Sequence, residues 1–381
     1  MRANRDPASP ARAMEIVTLG MGDELGPEKI LVIREPRVGL EAVVVVDNVA
    51  CGPAIGGVRM APDVTVEEVS RLARAMTFKN AAAGLPHGGG KSGILADPAS
   101  PPARKEALVR TFARLIRGLT EYIPGPDMGT NEACMAWIKD EIDRAVGLPR
   151  VVGGIPLDEI GATGLGLAVA AEVAMAEVSL SLTGARLVIQ GFGAVGQHAA
   201  RFLAQRGARL VAASDSRGAT HDPAGLDVDA LIAHKRAGLA VSAFPGGRAM
   251  KADDLVAVEC EIWIPAARPD TLTADNAGRL RAKLILQGAN IPATDAAEEA
   301  MHTRGILSLP DFVVNAGGVI CAAVEYHGGT QAQAFAAIEE KIRANTHETL
   351  ARARTDRLLP RQAAVQMARS RIDEAMGYRK P

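Results

Sequence analysis

The sequence predicts an α/β fold in two domains, and three observations carry that reading. The chain has 381 residues, enough for two cores of ordinary size. Its first part holds a β-branched run followed by segments of helical periodicity. From about Pro149 the texture changes to strands alternating with helices, the pattern of a parallel sheet.

Composition narrows the partners. Hydrophobic residues make up 48% and charged residues 23%, with a net charge of −1, which suits a globular chain and lacks the basic excess that nucleic acid demands. A small-molecule partner is expected, and no nucleic acid. Cys51, Cys134, Cys260 and Cys321 are far apart and form no Cys-x-x-Cys pair, so neither a metal site nor a disulfide framework is expected, and reduced thiols point to the cytoplasm. The first ten residues contain no apolar segment, which argues against a signal peptide. The longest apolar run, Gly164 to Ala176, is broken by Glu172 and too short for a bilayer, so no membrane is expected.

Taken in order, residues 1–13 read as a disordered arm. "LEAVVVVDN", Leu40 to Asn48, suits a buried strand. Thr65 with Glu68 has the form of a capping box, opening a helix with Val69, Leu72, Met76 and Ala83 on one face. Lys79 falls on that stripe, and two readings stand: a snorkelling stem with its amine in water, or a buried cation that needs an anion such as a substrate carboxylate.

"GLPHGGGKSG", Gly84 to Gly93, resembles a phosphate loop. That loop needs a glycine six positions before its lysine, at the end of a strand. Six before Lys91 is Leu85, and what precedes it reads as helix, so a nucleoside triphosphatase is not expected. Asp127 stands just before a helix that Thr130 or Asn131 can cap and Gly147 can close; by spacing alone it is either a turn residue or a functional acid.

In the second part, a strand (Ala185 to Gln190) leads into Gly191, Gly193 and Gly196 as GxGxxG, then a helix. A second strand ends in Asp215, nineteen residues after Gly196. Strand, glycines, helix and acid in that order form the dinucleotide-binding fingerprint of a Rossmann-like domain. Pyrophosphate would rest on the N–H groups around Ala194 and Val195, at the helix N-terminus. Asp215 would accept from the adenosine ribose and repel a 2′-phosphate, which favours NAD, while Arg217 keeps NADP open. "LILQGAN" and "DFVVNAGG" each place an asparagine, Asn290 and Asn315, at a strand's C-terminal edge, where ligands bind in open α/β sheets. The tail from about Ala363 to Met376 reads as an amphipathic helix that could return to the first domain.

These motifs carry a family likeness from about Gly52 onward. "GGVRM", "MTFKNAAAGLPHGGGKSGI", "PDMGTNEACMAW", "GFGAVG", "SDSRG", "QGAN" and "PDFVVNAGGV" occur in the order and at the separations of the glutamate/leucine/phenylalanine/valine dehydrogenases, which the sequence resembles. The resemblance implies reversible oxidative deamination of an L-amino acid to its 2-oxo acid and ammonia. It also implies an N-terminal α/β domain for substrate and oligomerisation (residues 14–150 plus 345–381), a Rossmann-like domain (151–344) and a cleft between them. Relatives form closed homo-oligomers, commonly hexamers or octamers. Carried over by position, Lys79 binds the α-carboxylate, Lys91 is the catalytic lysine, Asp127 shuttles protons, Gly57 belongs to the substrate contacts, and Thr163, Asn290 and Asn315 meet the nicotinamide.

Departures bear on the side chain accepted. Glutamate-specific members carry a lysine before the GG of "GGVR" and a serine seven residues after the motif asparagine. Here those positions are Ile55 and Ala322, and neither can pair a charge, so an apolar substrate is expected. Gly125, where leucine-type members usually carry alanine, and Val319 are the remaining wall positions. The alternative is a glutamate dehydrogenase with another anchor, such as Arg59 or His87. A third reading is a non-catalytic dinucleotide-binding regulator.

Overall fold

The structure is a computed structural model and describes residues 22–379; the arm expected over 1–13 lies outside the described residues. The first part of the chain runs through β1 (Lys29–Glu35), β2 (Leu40–Asn48), β3 (Ala54–Ala61), α1 (Val66–Ala82), β4 (Gly88–Leu95), α2 (Pro102–Leu115), β5 (Tyr122–Pro126) and α3 (Glu132–Ile142). Its five strands order β1-β2-β4-β3-β5, antiparallel from β1 to β4 and parallel across β4, β3 and β5.

The run "LEAVVVVDN" lacks polar alternation because β2 is covered on both faces. Leu40, Val44 and Val46 share a core with Phe112 of α2 and Ile138 of α3, while Val43 and Val45 meet Val69 and Ala73 of α1. At about 25 cal/mol per Å², burial on both faces makes this strand a main source of the domain's stability.

The second part contains α4 (Ala162–Glu177), β6 (Arg186–Gln190), α5 (Ala194–Gln205), β7 (Arg209–Asp215), β8 (Gly218–His221), α6 (Val228–Arg236), β9 (Arg248–Met250), β10 (Ile262–Pro265), α7 (Ala274–Ala277), β11 (Leu284–Leu286), α8 (Asp295–Thr303), β12 (Leu307–Leu309), α9 (Asp311–Val314), α10 (Gly317–Tyr326), α11 (Gln331–Asp356) and α12 (Pro360–Gly377). Its sheet orders β12-β11-β10-β6-β7-β8-β9, with the five strands from β12 to β7 parallel. The chain proceeds from β6 to β7 on one side and from β10 to β12 on the other, so a crevice opens beyond the C-terminal ends of β6 and β10.

Two devices join the halves. Glu325 of α10, buried, accepts N–H groups from Leu148 at 3.1 Å and Ile155 at 2.8 Å, which fixes the connection between them. Helix α12 returns to lie against α1, and Met367 and Ile372 share one apolar cluster with Ala81 and Ala82. The boundary expected between residues 344 and 345 falls inside α11, a single continuous helix.

Three local expectations are corrected. "GGGKSG" is not a loop but strand β4, packed between its neighbours and α1. A Cβ added at Gly89 would lie 2.0 Å from the Thr77 backbone nitrogen, so this glycine lets strand and helix touch. Of the expected stripe Val69 and Ala83 are buried, but Leu72, Met76 and Lys79 are only partly so; the buried face of α1 centres on Val66, Val69, Ala73, Thr77 and Asn80, about a quarter turn from those three. Val69 and Thr77 pack against the glycines of β4 and Asn80 Nδ2 donates to the Gly88 carbonyl at 2.6 Å, while Met76 and Lys79 face the cleft. Helix α3 ends at Ile142, with Asp143 in the left-handed conformation (φ 58°), before Gly147 is reached.

The strand–helix contact sets a first expectation. Gly89→Ala lowers stability by about 3 kcal/mol or more, because backbone on both sides must separate. Thermal or denaturant unfolding measures it, and a loss within about 0.5 kcal/mol would contradict the packing described.

Candidate active site

A cavity of about 810 Å³ lies between the two sheets. Strand β4 brings Lys91 to it, α1 brings Lys79, the end of β5 brings Asp127 and the turn after β11 brings Asn290, while Asn315, expected at a strand end, instead caps the short helix α9 that follows β12. Ile55, Gly57, Gly125, Thr163, Val319 and Ala322 line the same space. Side chains expected at the amino acid and the nicotinamide therefore share one cleft.

The charged centre is tight. Lys91 Nζ lies 3.1 Å from Asp127 Oδ2, and Arg59 Nε lies 2.9 Å from the same oxygen. A Cβ on Gly57 would stand 2.7 Å from the Asp127 Cβ and 3.2 Å from Lys91 Nζ, so glycine is needed for this close approach. The turn is held by Thr130, whose hydroxyl accepts the Asp127 N–H at 3.0 Å and donates to the Val58 carbonyl at 2.8 Å. Asn131 caps α3 by accepting from the Cys134 N–H at 3.1 Å.

Proton affinities follow from this geometry. Burial lowers the Lys91 pKa and Arg59 adds to the effect, while Asp127 opposes it. For Asp127 burial pushes upward, but Lys91 and Arg59 outweigh it and hold the carboxyl below its usual range. Lys79 borders the cavity, yet its ammonium is ringed by protein and has no carboxylate within ion-pair distance among the described residues. Its pKa is lowered to about 8, chiefly by burial and also by Lys91, with Asp311 partly offsetting both. The structure thus presents a half-buried cation facing the cleft with no hydrogen-bond or ion-pair partner among the described residues, and such a group calls for an anion.

The residues that would hold a dinucleotide fit it. Helix α5 has no side-chain cap at its N-terminus, leaving its first N–H groups, including those of Ala194, Val195 and Gly196, to an anion. Gly191 adopts φ 94°, and a Cβ on Gly193 would meet nothing within 4 Å; the space before the helix is open. A Cβ on Gly196 would come within 2.2 Å of the Gly191 carbonyl oxygen, which ties the turn to the helix. Asn315 Nδ2 donates to Asn290 Oδ1 at 3.1 Å, while Asn315 Oδ1 is buried without a partner among the described residues, an acceptor suited to a carboxamide.

Three side chains differ from expectation. Asp215 is not a free acceptor: its Oδ2 receives Lys235 Nζ at 2.6 Å and the Val241 N–H at 3.1 Å, and its Oδ1 receives the Arg217 N–H at 2.8 Å. Lys235, twenty residues on, offsets the charge that was to repel a 2′-phosphate; no sequence pattern marked it. Arg59 is engaged by Asp127 and Glu68 and is not free to anchor a second carboxylate. His87 is buried away from the cavity lining, with Nδ1 3.0 Å from the Pro53 carbonyl and Nε2 3.1 Å from His327 Nε2. Neither alternative anchor therefore meets the cleft freely.

The chain is similar to known proteins over most of its length. The family described as Glu/Leu/Phe/Val dehydrogenase, dimerisation domain, matches residues 27–144, and the Glutamate/Leucine/Phenylalanine/Valine dehydrogenase family matches residues 153–380. Glutamate dehydrogenase of Aeropyrum pernix is 38% identical over 87% of this chain and 85% of its own length. NADP-specific glutamate dehydrogenase of Saccharolobus shibatae is 39% identical over 73% of this chain and 69% of its own. Among solved structures, hetero-hexameric glutamate dehydrogenase from Thermus thermophilus, in a leucine-bound form, superposes with a TM-score of 0.81 at 30% identity, covering 93% of this chain and 91% of that one.

The glycine turn sets a second expectation. Gly193→Ala leaves stability within about 0.5 kcal/mol of the parent, since its Cβ would enter open space, but weakens dinucleotide binding about tenfold or more by filling the pyrophosphate's place. Calorimetric titration with unfolding as control measures both, and unchanged affinity would contradict the assignment.

Proposed function

The chain belongs to the glutamate/leucine/phenylalanine/valine dehydrogenase family, an oxidoreductase family acting on amino acids, and we propose that it catalyses reversible NAD(P)-dependent oxidative deamination of an L-amino acid to the 2-oxo acid and ammonia. The observation that carries this reading is Lys91 and Arg59 sharing one oxygen of Asp127 in a cleft that also presents the unpaired Lys79.

In this reading Lys79 pairs with the substrate α-carboxylate and fixes the Cα between the lysines and the Asn290–Asn315 edge. The bound nicotinamide supplies the hydride acceptor. Asp127 takes and returns protons at the substrate nitrogen. Lys91, its proton loosened by burial, draws a proton from the water that attacks the imine carbon and later returns it. Arg59 gives Asp127 a fixed cationic neighbour, so when Lys91 is neutral the ionised carboxylate still has a cation beside it.

Glutamate is the side chain that the comparisons favour, because the relatives at 38% and 39% identity carry that name. One specific observation supports an apolar substrate instead: the wall formed by Ile55, Gly125, Val319 and Ala322 holds no cation. For the coenzyme, Asp215 supports NAD, whereas Lys235 lying on it and the NADP-specific relative support NADP. The dimerisation-domain match over residues 27–144 and the hetero-hexameric relative support an oligomer, and we propose a homo-oligomer assembled through the first domain.

A panel of L-amino acids assayed with NAD and with NADP tests the reaction and the side chain together. Turnover best with glutamate sinks the apolar reading, and turnover best with leucine, valine or phenylalanine sinks the glutamate one. Tight dinucleotide binding with no turnover would favour a non-catalytic regulator. Lys91→Ala should lower kcat about a thousandfold or more while coenzyme affinity stays near normal; near-normal turnover would refute its role. Because Lys79 must be charged to hold the carboxylate, KM for the amino acid is expected to be flat below pH 8 and to rise above it, as the ammonium with a pKa of about 8 loses its proton.

A further inference from the structure

A buried carboxylate that does not line the cleft lies between its two halves. Asp311 opens α9, and its Oδ1 accepts from Arg361 Nη2 at 3.0 Å while its Oδ2 accepts the Ile291 N–H at 3.0 Å. Ile291 has φ 48°, a left-handed conformation that a β-branched residue keeps only where its surroundings hold it. Asn290 precedes it and is tied from the other side by Asn315. The turn is therefore clamped between Asn315 and Asp311.

Asp311 also bears on the amino-acid side. It is the carboxylate whose field acts on Lys79, and α9 lies against α1. Its own position is braced from the C-terminal helix. Arg361, in the first turn of α12, donates through Nε to Glu298 Oε1 at 2.8 Å and through Nη2 to Gln287 Oε1 at 2.7 Å; Gln287 Nε2 in turn donates to Glu298 at 2.6 Å. Gln287, Glu298 and Asp311 are all buried, so one guanidinium satisfies two carboxylates and an amide at once.

We infer that Asp311 is a positioning residue shared by both ligands of the cleft: braced by Arg361, it fixes the turn that carries Asn290 to the coenzyme and supplies the counter-charge to Lys79. The inference rests on the dehydrogenase reading. It makes the C-terminal helix part of the active-site support, although no residue of that helix lines the cavity.

The charged groups near Lys79 are Asp311 of α9 and Lys91 of β4; behind Asp311 stand Arg361 of α12 and Glu298 of α8. Asp311→Asn removes a charge and one of two acceptors while keeping the shape. NADH binding by calorimetry should weaken about tenfold, and the rise of amino-acid KM with pH should begin below the parent's onset near 8, because Lys79 loses the charge that favours its protonated form. Arg361→Lys keeps a cation but not the fork, and should show the same two changes to a smaller degree; it carries the test if the first variant does not fold. A lower melting temperature with NADH affinity and the KM–pH profile both unchanged would overturn the inference alone. Absence of dinucleotide binding by the unaltered protein would overturn the dehydrogenase reading and this inference with it.

Discussion

Backbone contact between β4 and α1 is the constraint from which the cleft follows. With no side chain at Gly89, the strand approaches the helix until Thr77 fills the space a Cβ would need. That contact sets the rotation of α1, turning Met76 and Lys79 out of the core toward the second sheet, and leaves Lys91 on the same strand as the next side chain able to reach the cavity. A larger residue at the contact would separate strand and helix and so move both lysines relative to Asp127.

Charge balance explains why the cleft tolerates so many cations. Lys91 and Arg59 share a single carboxylate, Glu68 takes the other end of Arg59, and Lys79 has only the field of Asp311. Burying an unpaired ion is costly, and here the deficit is concentrated on Lys79, where an incoming carboxylate would relieve it. Substrate binding and site electrostatics are thus one property. The nicotinamide edge follows a similar logic in neutral groups, since Asn315 Oδ1 has no partner among the described residues while its Nδ2 donates to the Gly288 and Ala289 carbonyls and to Asn290 Oδ1.

Some of this was legible in the chain because its signal is local. GxGxxG between a strand and a helix, Thr65 and Asn131 as caps, and Asp127 before α3 depend on neighbours a few residues away. Strand β4 was not legible, since three consecutive glycines carry no strand preference and pairing with β2 and β3 supplies it. Arg59 with Asp127, sixty-eight residues apart, and Lys235 with Asp215 were hidden for a related reason: sequence separation says nothing about which long side chains converge. His87 stood in a suggestive motif, yet Pro53 and His327 hold its ring away from the cavity lining.

By itself the sequence determined the α/β class and the dinucleotide fingerprint, which are written in residue type and short-range spacing, whereas the two lysines and the aspartate were singled out only by the family likeness, since spacing alone left Lys79 and Asp127 with two readings each. Tertiary structure alone decided that Lys79 faces the cleft while Thr77 faces the strand, that Arg59 is spent on Asp127, that Asp215 is already paired, and that the last helix braces Asp311. These outcomes depend on distances between segments far apart in the chain. Packing fixes such distances by excluding volume and matching charge, and neither can be read from the order of residues.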